Sequence, residues 1–560
     1  MEIVGSMVKP DLVLLHPPSI YDFRQESIMY GPINDVVPPT PIFDMYPIGF
    51  VSMLGYLTRH GYNVRIINLA SKMLENRKFN PEALIKSLDP KAFGIDLHWL
   101  VHAQGSLELA KIIKKHHPNT PVLLGGLSST YFHEEIIKNY QQVDYVIRGD
   151  STEQPLLQLM QHIEENKDPE DIPNVTWRDD NKRIHINPLT FVPDKLDDFV
   201  LDASSIVKAS LRYWDISGHL PYHKWDDYPI TSVLACKGCI YNCITCGGSN
   251  YAYKRICNRS SIAYMKPEKL VEGMKIIQQY TNGPIFILGD LRMIGKDYAE
   301  SVLNNMKKEK IDNPVIFELF EPADEEYLLK IAKSVPNYNF EISPESHDEN
   351  IRYAFGRHYR NNELEKSISK ALELECQRFD VFFMIGLPHQ TKESVLNTIE
   401  YCNSLLKNHK GDTRLRAFIA PLAPFLDPGS IAFEDPNKHG YQLFFKELEE
   451  YRQAIRNPSW KYFLNYQTLW MSRDELVNVT YEAAYLLNRI KVQNDFIDSQ
   501  TAEKMELQIK LAHNTLQKID EIMSLDDPEL RSQNLKNLKG QIEEANQRLL
   551  CSKDELLRWS

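Results

Sequence analysis

Short apolar runs alternate with longer stretches of helical spacing over the first 165 residues of the chain. The stretch 49–60 places apolar side chains at helical intervals and closes with Gly61. Five apolar runs are each short enough for one strand, and they cover residues 11–15, 64–67, 92–95, 122–124 and 145–147. Repeated strand–helix units predict a doubly wound, Rossmann-like parallel sheet with its ligands at the carboxyl ends of the strands.

A second alternating series begins at Ile230, after a segment from about residue 166 to 228 that is rich in Asp, Pro, Asn and Lys. That composition predicts a connector on the surface. Six further apolar runs follow it, at residues 231–234, 285–288, 315–317, 339–342, 381–384 and 415–418. Six strands with helices between them predict a partial (β/α)6 barrel whose site lies at the carboxyl ends of its strands.

After Pro428 and Gly429 the strand signals fade, and the chain becomes amphipathic and helical. The aromatic residues Trp460, Tyr462 and Trp470 either close a cavity or form an apolar packing stripe. We therefore expect a mixed α/β protein of four parts. They are a Rossmann-like domain, a connector, a partial barrel and a helical C-terminal region, at residues 1–165, 166–228, 229–430 and 431–560.

Composition changes this picture in only a few respects. The 560 residues exceed what one core usually holds, and a net charge of -12 argues against a general positive field for nucleic acid. No apolar run approaches the roughly 20 residues that span a bilayer. Residues 1–15 lack the basic and apolar regions of a signal peptide. We expect a cytoplasmic enzyme that does not span a membrane.

The cysteines are unevenly distributed. There are eight, at positions 236, 239, 243, 246, 257, 376, 402 and 551, and half of them fall within eleven positions. A disulfide framework would spread its pairs along the chain, so clustering favours metal ligation in a reducing compartment. Cys376 and Cys402 are expected to be small buried residues in helices.

Cys239, Cys243 and Cys246 follow the first predicted barrel strand with the spacing C-x3-C-x2-C. This spacing allows one short loop to wrap three corners of a [4Fe–4S] cluster, which usually takes four thiolates. One iron then remains open to the amino and carboxylate groups of a methionine-type ligand. Zinc is the alternative, but no second ligand pair lies at zinc-finger distance. Cys236 is a spare thiol, a fourth ligand or a structural residue beside the cluster, and we favour the last interpretation.

This motif, in its place after the first strand, resembles the radical S-adenosylmethionine superfamily. The resemblance implies that Cys239, Cys243 and Cys246 hold the cluster and that other segments bind S-adenosylmethionine. By position these are Gly289 and Asp290 for the amino group, Ser343, Glu345 and Ser346 for ribose and methionine, Arg357 for the carboxylate, and Gly386 for adenine. One departure is Thr245, where family members usually carry an aromatic residue that stacks on adenine.

A doubly wound domain before such a barrel resembles the cobalamin-binding domains of the B12-dependent radical enzymes. Glycines at strand ends allow close backbone approach to a bulky ligand. The residues that the resemblance assigns to cobalamin are His16, Pro17, Gly49, His98, Gly125, Gly126, Ser128, Gly149 and Asp150. Asp96-x-His98 also matches part of a cobalt-ligating motif, but Val101 replaces its glycine and it follows the third strand. We interpret it as a chance match, with His98 a structural residue or one that packs below the corrin.

The resemblance implies a cobalamin-dependent radical C-methyltransferase that acts on an unactivated carbon. Its cofactors are a [4Fe–4S] cluster, S-adenosylmethionine and cobalamin, and its electron donor is a ferredoxin or flavodoxin. The substrate is a small molecule, a lipid or a protein side chain. One alternative uses the radical for carbon–carbon bond formation or ring closure, with cobalamin auxiliary or absent. Another is a non-catalytic cobalamin or iron–sulfur sensor.

Overall fold

The computed structural model of the protein describes residues 8–29, 42–421 and 425–546. Cys551 and the expected helical residues 547–560 lie outside the described residues. Within the described part, no helix is long and apolar enough to cross a membrane.

Five parallel strands form the N-terminal sheet, as the apolar runs predict. They are β1 (Leu12–His16), β2 (Val64–Asn68), β3 (Ala92–Asp96), β4 (Val122–Gly125) and β5 (Tyr145–Ile147). Their order is β2-β1-β3-β4-β5, so the chain reverses direction across the sheet between β1 and β3. Every residue of β1 is buried, as expected for a central strand covered on both faces. The loops after β1 and β3 diverge at the reversal, and ligands of doubly wound sheets bind there.

Helices cover both faces of this sheet. They are α1 (Gly49–Arg59), α2 (Leu69–Glu75), α3 (Pro81–Ser87), α4 (Ala103–His116), α5 (Leu127–Tyr131), α6 (His133–Asn139) and α7 (Glu153–Glu165). The α2 helix begins at Asn68, whose side chain accepts a hydrogen bond from the backbone N–H of Ser71. The glycine-rich turn at Gly126 separates β4 from α5, with φ +111° at that residue.

The connector is more ordered than its polar composition predicts. It forms β6 (Val175–Arg178), β7 (Ile184–Ile186), α8 (Ala203–Tyr213) and α9 (Ile216–His219). The two strands extend the N-terminal sheet, with β6 antiparallel to β5 and β7 antiparallel to β6. Trp177 anchors β6 because its side chain is 1% exposed and its indole stacks on the ring of His185. Short strands that pair with an existing sheet edge need little apolar sequence of their own.

The partial barrel matches the second series of apolar runs. Its strands, with the short antiparallel pair β9 and β10, are β8 (Thr231–Leu234), β9 (Cys236–Lys237), β10 (Ala263–Tyr264), β11 (Ile285–Leu288), β12 (Val315–Leu319), β13 (Tyr338–Glu345), β14 (Arg378–Ile385) and β15 (Leu415–Pro421). Six of them form one parallel sheet in the order β8-β11-β12-β13-β14-β15. The helices are α10 (Asn250–Cys257), α11 (Pro267–Gln278), α12 (Lys296–Glu309), α13 (Glu325–Ser334), α14 (Glu349–Phe355), α15 (Asn361–Glu373) and α16 (Lys392–Asn408). The predicted fold class is confirmed.

The C-terminal region is helical with one unexpected antiparallel pair of short strands. Its elements are α17 (Ile431–Glu434), β16 (Tyr441–Leu443), α18 (Leu448–Ala454), β17 (Tyr466–Thr468), α19 (Arg473–Gln493), α20 (Ser499–Met523) and α21 (Pro528–Asn546). Strands β16 and β17 pair antiparallel. Trp460 is buried and donates its indole N–H to the Tyr481 hydroxyl at 3.0 Å. Tyr462 bonds Asp520, and Trp470 packs 4.4 Å from the ring of His389. Trp460 and Tyr462 therefore pack the C-terminal region together and Trp470 packs it against the barrel domain, which agrees with the second of the two interpretations.

Polar contacts join the N-terminal domain to both other parts. Asp150, after β5, forms an ion pair with Arg259 of the barrel domain, and the two side chains are 6% and 1% exposed. The hydroxyls of Tyr131 and Tyr140 donate to Glu434 and Glu449 of the C-terminal region at 2.9 Å and 2.7 Å. These contacts hold the N-terminal domain against both other parts.

Gly105 of α4 packs against the loop that follows β1, and a β-carbon there would lie 1.8 Å from the Pro18 carbonyl oxygen. We expect Gly105→Ala to lower the free energy of unfolding by about 1–3 kcal/mol, because overpacking outweighs the better helix propensity of alanine. Gly540→Ala in α21 is the control, since its β-carbon meets nothing within 4 Å. We expect it to stabilise by up to about 1 kcal/mol. Equal effects of both variants in denaturant unfolding would contradict this packing.

Candidate active site between the two domains

The three cysteines of the motif lie in the loop that follows β9, at the carboxyl end of the first barrel strand. All are free thiols. The backbone N–H of Tyr241 donates to Cys239 Sγ at 3.4 Å, and that of Gly248 donates to Cys246 Sγ at 3.3 Å. Amide donors that point at sulfur stabilise the thiolate form, which is the form that ligates iron.

Neighbouring elements hold this cysteine loop in place. The N–H of Ile244 donates to the Phe355 carbonyl at 2.9 Å, and the Ile244 carbonyl accepts from Ala432 at 2.8 Å. Gly356, at the end of α14, has φ +116°, and a β-carbon there would lie 2.9 Å from the Asn242 carbonyl oxygen. The loop is therefore wedged between the barrel and the C-terminal region.

Burial and a single cation set the charge of the thiols. Burial raises the pKa of Cys243 to about 11 and also raises the pKa values of Cys239 and Cys246. Arg357 opposes this by lowering the pKa values of Cys239 and Cys243. Without a metal, these thiols stay protonated, because one guanidinium does not offset the effect of burial. They fit an iron–sulfur cluster, since its iron supplies the further positive charge that stabilises the thiolates. Among the described residues, no three or more His, Cys, Asp or Glu side chains are gathered as ligands of one ion.

Cys236 does not belong to this loop. It lies on β9, where it pairs with Tyr264, and a β-carbon on Gly289 would be 3.3 Å from its Sγ. Burial raises its pKa to about 12. Its place beside the second barrel strand agrees with a structural role.

The segment after β11 brings together one expected residue and one that the sequence reasoning missed. Gly289 has φ +90° and donates its N–H to Glu318 Oε2 at 2.8 Å. Burial raises the pKa of Glu318 to about 7. A charged residue inside the apolar run of β12 was the signal for it. The Asp290 carboxylate, in contrast, is already engaged by Arg292 Nη2 at 2.6 Å and by the Phe320 N–H at 3.0 Å.

Glu345 ends β13 with an unsatisfied carboxylate oxygen. The residue has φ 68° and is 2% exposed, and its Oε2 is buried without a hydrogen-bond partner among the described residues. Arg357 Nε lies 3.6 Å from its Oε1, and burial raises the pKa of Glu345 to about 7. A buried acceptor without a donor fits a ligand hydroxyl. Ser343 is half-buried on the same strand, while Ser346 is fully buried and accepts from the Asp348 N–H.

Gly386 lies in the turn after β14, where it contacts the paired strands β16 and β17 of the C-terminal region. Its φ is +102°, its N–H donates to the Gln390 side chain at 2.7 Å, and its carbonyl accepts from the Tyr441 hydroxyl at 2.9 Å. A β-carbon there would lie 2.8 Å from the Tyr466 hydroxyl oxygen. Only glycine fits this turn. Thr245 is buried at 4% exposure and provides no aromatic surface.

A cavity of about 1080 Å³ lies between the N-terminal sheet and the barrel. It is at the upper limit of about 300–1,000 Å³ for small-molecule sites, so it suits a large ligand. Six of the residues assigned to cobalamin line it, namely Gly49, His98, Gly125, Gly126, Gly149 and Asp150. Residues of the barrel line it as well, namely Ser232, Leu234, Cys236, Phe286, Leu288, Ile316 and Glu341. The N-terminal sheet and the barrel therefore share this cavity, whereas the three cysteines of the motif and the residues assigned to S-adenosylmethionine are not among its lining residues.

Three of the assigned residues do not line the cavity, and these are His16, Pro17 and Ser128. His16 is fully buried, with Nδ1 2.9 Å from Asp96 Oδ1 and Nε2 2.9 Å from the Phe43 carbonyl oxygen. Ser128 donates its hydroxyl to the His98 carbonyl at 2.9 Å. His16 and Ser128 therefore contact residues that line the cavity, namely Asp96, Phe43 and His98. Burial lowers the pKa of His98 itself to about 4.

The sequence reasoning missed a set of polar side chains in and beside the mostly apolar lining of the cavity. Ser52 donates to Glu153 Oε1 at 2.6 Å, and Lys237 Nζ lies 3.7 Å from the same oxygen and 3.2 Å from Ser151 Oγ. Lys237 comes from the barrel domain and the others from the N-terminal domain. A few placed polar groups in an apolar pocket fix a ligand's orientation. No motif marks these residues, because only the fold brings them together.

The connector contributes the outer rim of the cavity. Leu211 and Ile216 of the connector line it and are 62% and 65% exposed, and Tyr280 of the barrel domain, which follows α11, also lines it and is 47% exposed. Trp214, between the first two, is 86% exposed. The cavity therefore opens to solvent through an apolar mouth.

Two family models match the chain. The B12 binding domain matches residues 39–156, and the Radical SAM superfamily matches residues 233–402. The first range covers β2 to β5 of the N-terminal sheet but not β1, and the second covers the barrel from the end of β8 to β14 but not β15.

Similar proteins include one curated relative and several solved structures. The chain is 22% identical over 361 residues to the uncharacterized methyltransferase PH0819 of Pyrococcus horikoshii, covering 64% of this chain and 73% of that protein. The structure of the radical S-adenosylmethionine methyltransferase TsrM from Kitasatospora setae, with cobalamin and a [4Fe–4S] cluster bound, superposes with TM-score 0.58 at 14% identity, covering 96% and 100% of the two chains. OxsB, a cobalamin-dependent radical enzyme, gives TM-score 0.52 at 13% identity, covering 96% and 72%. At these identities the structural likeness is one of fold.

Single replacements of the cysteines distinguish the ligands of the iron–sulfur cluster from thiols that only lie near it. We expect Cys239→Ala, Cys243→Ala and Cys246→Ala each to lose most of the iron and visible absorbance that wild type gains on anaerobic reconstitution. Cys236→Ala should keep both, because Cys236 lies on β9 outside the loop. Cys376→Ala, at a fully buried thiol elsewhere in the barrel, is the control. If Cys236→Ala also lost the cluster while Cys376→Ala kept it, Cys236 would be a cluster ligand and our interpretation would be wrong.

The buried carboxyl of Glu345 predicts a pH dependence of stability in the cluster-free protein. Its folded pKa of about 7 exceeds the unfolded value, so its stabilising contribution is complete below pH 4.5 and is lost as the pH rises to about 7. We expect Glu345→Gln to match wild type at pH 5 and to be about 1–3 kcal/mol more stable at pH 8, measured by denaturant unfolding. Glu326→Gln, at a side chain 73% exposed, is the control. A Glu345→Gln effect independent of pH would refute this assignment.

Proposed function

Since the chain belongs to the cobalamin-dependent radical S-adenosylmethionine enzymes of the methyltransferase type, we propose that it transfers a methyl group to an unactivated carbon of its substrate. The observation that carries this proposal is the shared cavity. His98 and the Gly125–Gly126 turn border it from the B12-binding side, while Cys236 and Leu288 border it from the radical side. Methyl donor and radical would then meet the same substrate atom.

The residues present fit the three cofactors. When bound, the cluster supplies an electron, S-adenosylmethionine supplies the 5′-deoxyadenosyl radical, and cobalamin supplies the methyl group. Cys239, Cys243 and Cys246 would hold the cluster. The unsatisfied Glu345 oxygen would accept a ribose hydroxyl, and Arg357 would face the methionine carboxylate.

The chain's own contribution is to orient the reactants and exclude water. Leu234, Leu288 and Ile316 provide apolar walls on the barrel side of the cavity. A dry lining protects a carbon radical from side reactions. Lys237 and Glu153, which come from the two domains and meet in the cavity wall with Nζ 3.7 Å from Oε1, would fix the ligand by hydrogen bonds. Asp290 would act indirectly, since its carboxylate holds Arg292 and the Phe320 N–H.

The surface of the protein supports two further parts of the proposal. The apolar mouth formed by Leu211, Ile216 and Tyr280 favours a substrate with an apolar body. Ile240, next to Cys239 in the cysteine loop, is 50% exposed, so the cluster would lie near the surface where a ferredoxin or flavodoxin delivers electrons. The seven free thiols of the described residues fit a reducing compartment such as the cytoplasm.

Product stoichiometry tests the function. The reconstituted enzyme would be supplied with reductant, S-adenosylmethionine carrying a CD3 methyl group, and a small-molecule extract of cells. We expect equal amounts of 5′-deoxyadenosine, S-adenosylhomocysteine and a product that carries the CD3 group, measured by mass spectrometry.

The other outcomes each identify a different function. Ring closure would give 5′-deoxyadenosine without S-adenosylhomocysteine, and a sensor would give neither product. Cys243→Ala serves as the cluster-free control and should form no 5′-deoxyadenosine. Formation of a labelled product by Cys243→Ala would contradict radical methylation.

A further inference from the structure

Four large apolar side chains are exposed at the mouth of the cavity. Leu211 lies near the end of α8, Trp214 directly follows that helix, Ile216 begins α9, and Tyr280 belongs to the barrel domain. We call these four residues the mouth patch. Single exposed apolar residues are common on protein surfaces, but a group of them at the opening of a cavity indicates an interaction site.

The mouth lies at the amino ends of the first two barrel strands. Tyr280 and Thr281 precede β11, Ile230 precedes β8, and all three line the cavity. The cysteine loop, in contrast, lies beyond the carboxyl end of β8. The mouth and the cysteine motif are therefore at opposite ends of these strands.

From the mouth, the cavity continues along the barrel strands. Phe286 and Leu288 alternate with buried residues on β11 and both line the cavity, as Ile316 does on β12. Leu234 and Cys236 line it at the carboxyl end of β8. The four residues of β11 make this path about 13 Å long. A ligand that enters at the mouth and reaches the carboxyl ends of the strands must therefore be long and apolar.

The size and the surroundings of the mouth patch argue against a protein partner. A stable protein interface buries about 800 Å² on each side and involves about 20–30 residues. The mouth patch has four residues, and its exposed neighbours in the connector are charged, namely Lys208, Arg212, Lys224, Asp226 and Asp227. A protein seated on the mouth would also cover the opening through which a ligand enters.

The same features fit the surface of a lipid bilayer. Insertion among lipid headgroups needs only a few apolar side chains, and its strength depends on the apolar area that they bury. Trp214 and Tyr280 suit the headgroup level, since each has an apolar ring with one polar atom. A bilayer leaves the mouth open to a lipid chain that moves out of it.

We propose that the mouth patch docks on a lipid surface and that the substrate is a lipid whose apolar chain enters the cavity there. This inference rests on the proposed function and names the substrate class for the same methyl transfer. A C–H bond of the chain is replaced by a C–CH3 bond. The reaction consumes two S-adenosylmethionine molecules and two electrons from the ferredoxin or flavodoxin. It yields methionine, S-adenosylhomocysteine, and 5′-deoxyadenosine, which carries the hydrogen atom removed from the chain.

Flotation of the full chain with phosphatidylcholine vesicles in a density gradient tests the docking. We expect wild type to float with the vesicles, including at high salt, because the patch itself is apolar and its charged neighbours have both signs. Leu211→Ser, Ile216→Ser and Trp214→Asn should each lower the bound fraction about 3- to 10-fold. Asparagine is chosen at position 214 because it tolerates the φ of 51° there.

Leu507→Ser is the matched control, since Leu507 is also an exposed leucine on a helix, at 64% against 62% for Leu211. It lies on α20, outside the mouth patch, and should float like wild type. Failure of wild type to float, or equal flotation of wild type and Leu211→Ser, would overturn the proposal. Self-association of wild type that Leu211→Ser abolishes, measured by analytical ultracentrifugation without vesicles, would assign the patch to a second copy of the chain and also overturn it.

The substrate class is tested with S-adenosylmethionine carrying a CD3 methyl group and two extracts of cells, one of lipids in vesicles and one of water-soluble metabolites. We expect the labelled product only from the lipid extract. Leu211→Ser should form it more slowly at limiting vesicle concentration, while Leu507→Ser keeps the wild-type rate. A labelled product from the water-soluble extract alone would overturn the lipid substrate and leave the proposed function intact. No labelled product from either extract would overturn the proposed function and this substrate, and flotation would still decide the docking.

Discussion

The buried ion pair between Asp150 and Arg259 joins the two halves of the site. Asp150 follows the last parallel strand of the B12-binding domain, and Arg259 comes from the segment after the cysteine loop. Such a pair adds little net stability, but breaking one partner leaves a buried charge that costs about 3–5 kcal/mol. The pair therefore restricts how the domains meet. The contact of Lys237 with Glu153, which also joins the two domains, depends on that arrangement.

The electrostatics of the site follow from the same enclosure. Glu345 and Cys243 are buried, while Glu318, Cys239 and Cys246 are half-buried, and removal from water raises the pKa values of all five groups. Arg357 is the cation that faces both the thiols and Glu345, and its own pKa is raised by their charges. Without cofactors, the protein bears the free-energy cost of keeping these polar groups away from water. Iron bound to the thiols, a ligand hydroxyl at Glu345 and a ligand carboxylate at Arg357 would remove that cost. The site is thus arranged for charges that the cofactors bring.

The sequence predicted the elements whose signals are local. Strands β8 and β11 begin and end at the predicted residues, because their limits are set locally, as in the apolar run of β11 between Pro284 and Gly289. The cysteine spacing identified the loop for the same reason. The connector strands were underestimated, since pairing with β5 supplies what their composition lacks. Lys237, Glu153 and the commitment of His16 to Asp96 depend on long-range contacts, and no spacing in the chain reports them.

The central claim is that both cofactors face one cavity, and their magnetic interaction tests it most directly. The enzyme would be loaded with cluster and cobalamin, reduced to give a paramagnetic cluster and Co(II), and measured by electron paramagnetic resonance. Two paramagnets across one cavity broaden and accelerate the relaxation of each other's signals. We predict that interaction in the doubly loaded enzyme. A spectrum equal to the sum of the two singly loaded forms would contradict the shared cavity.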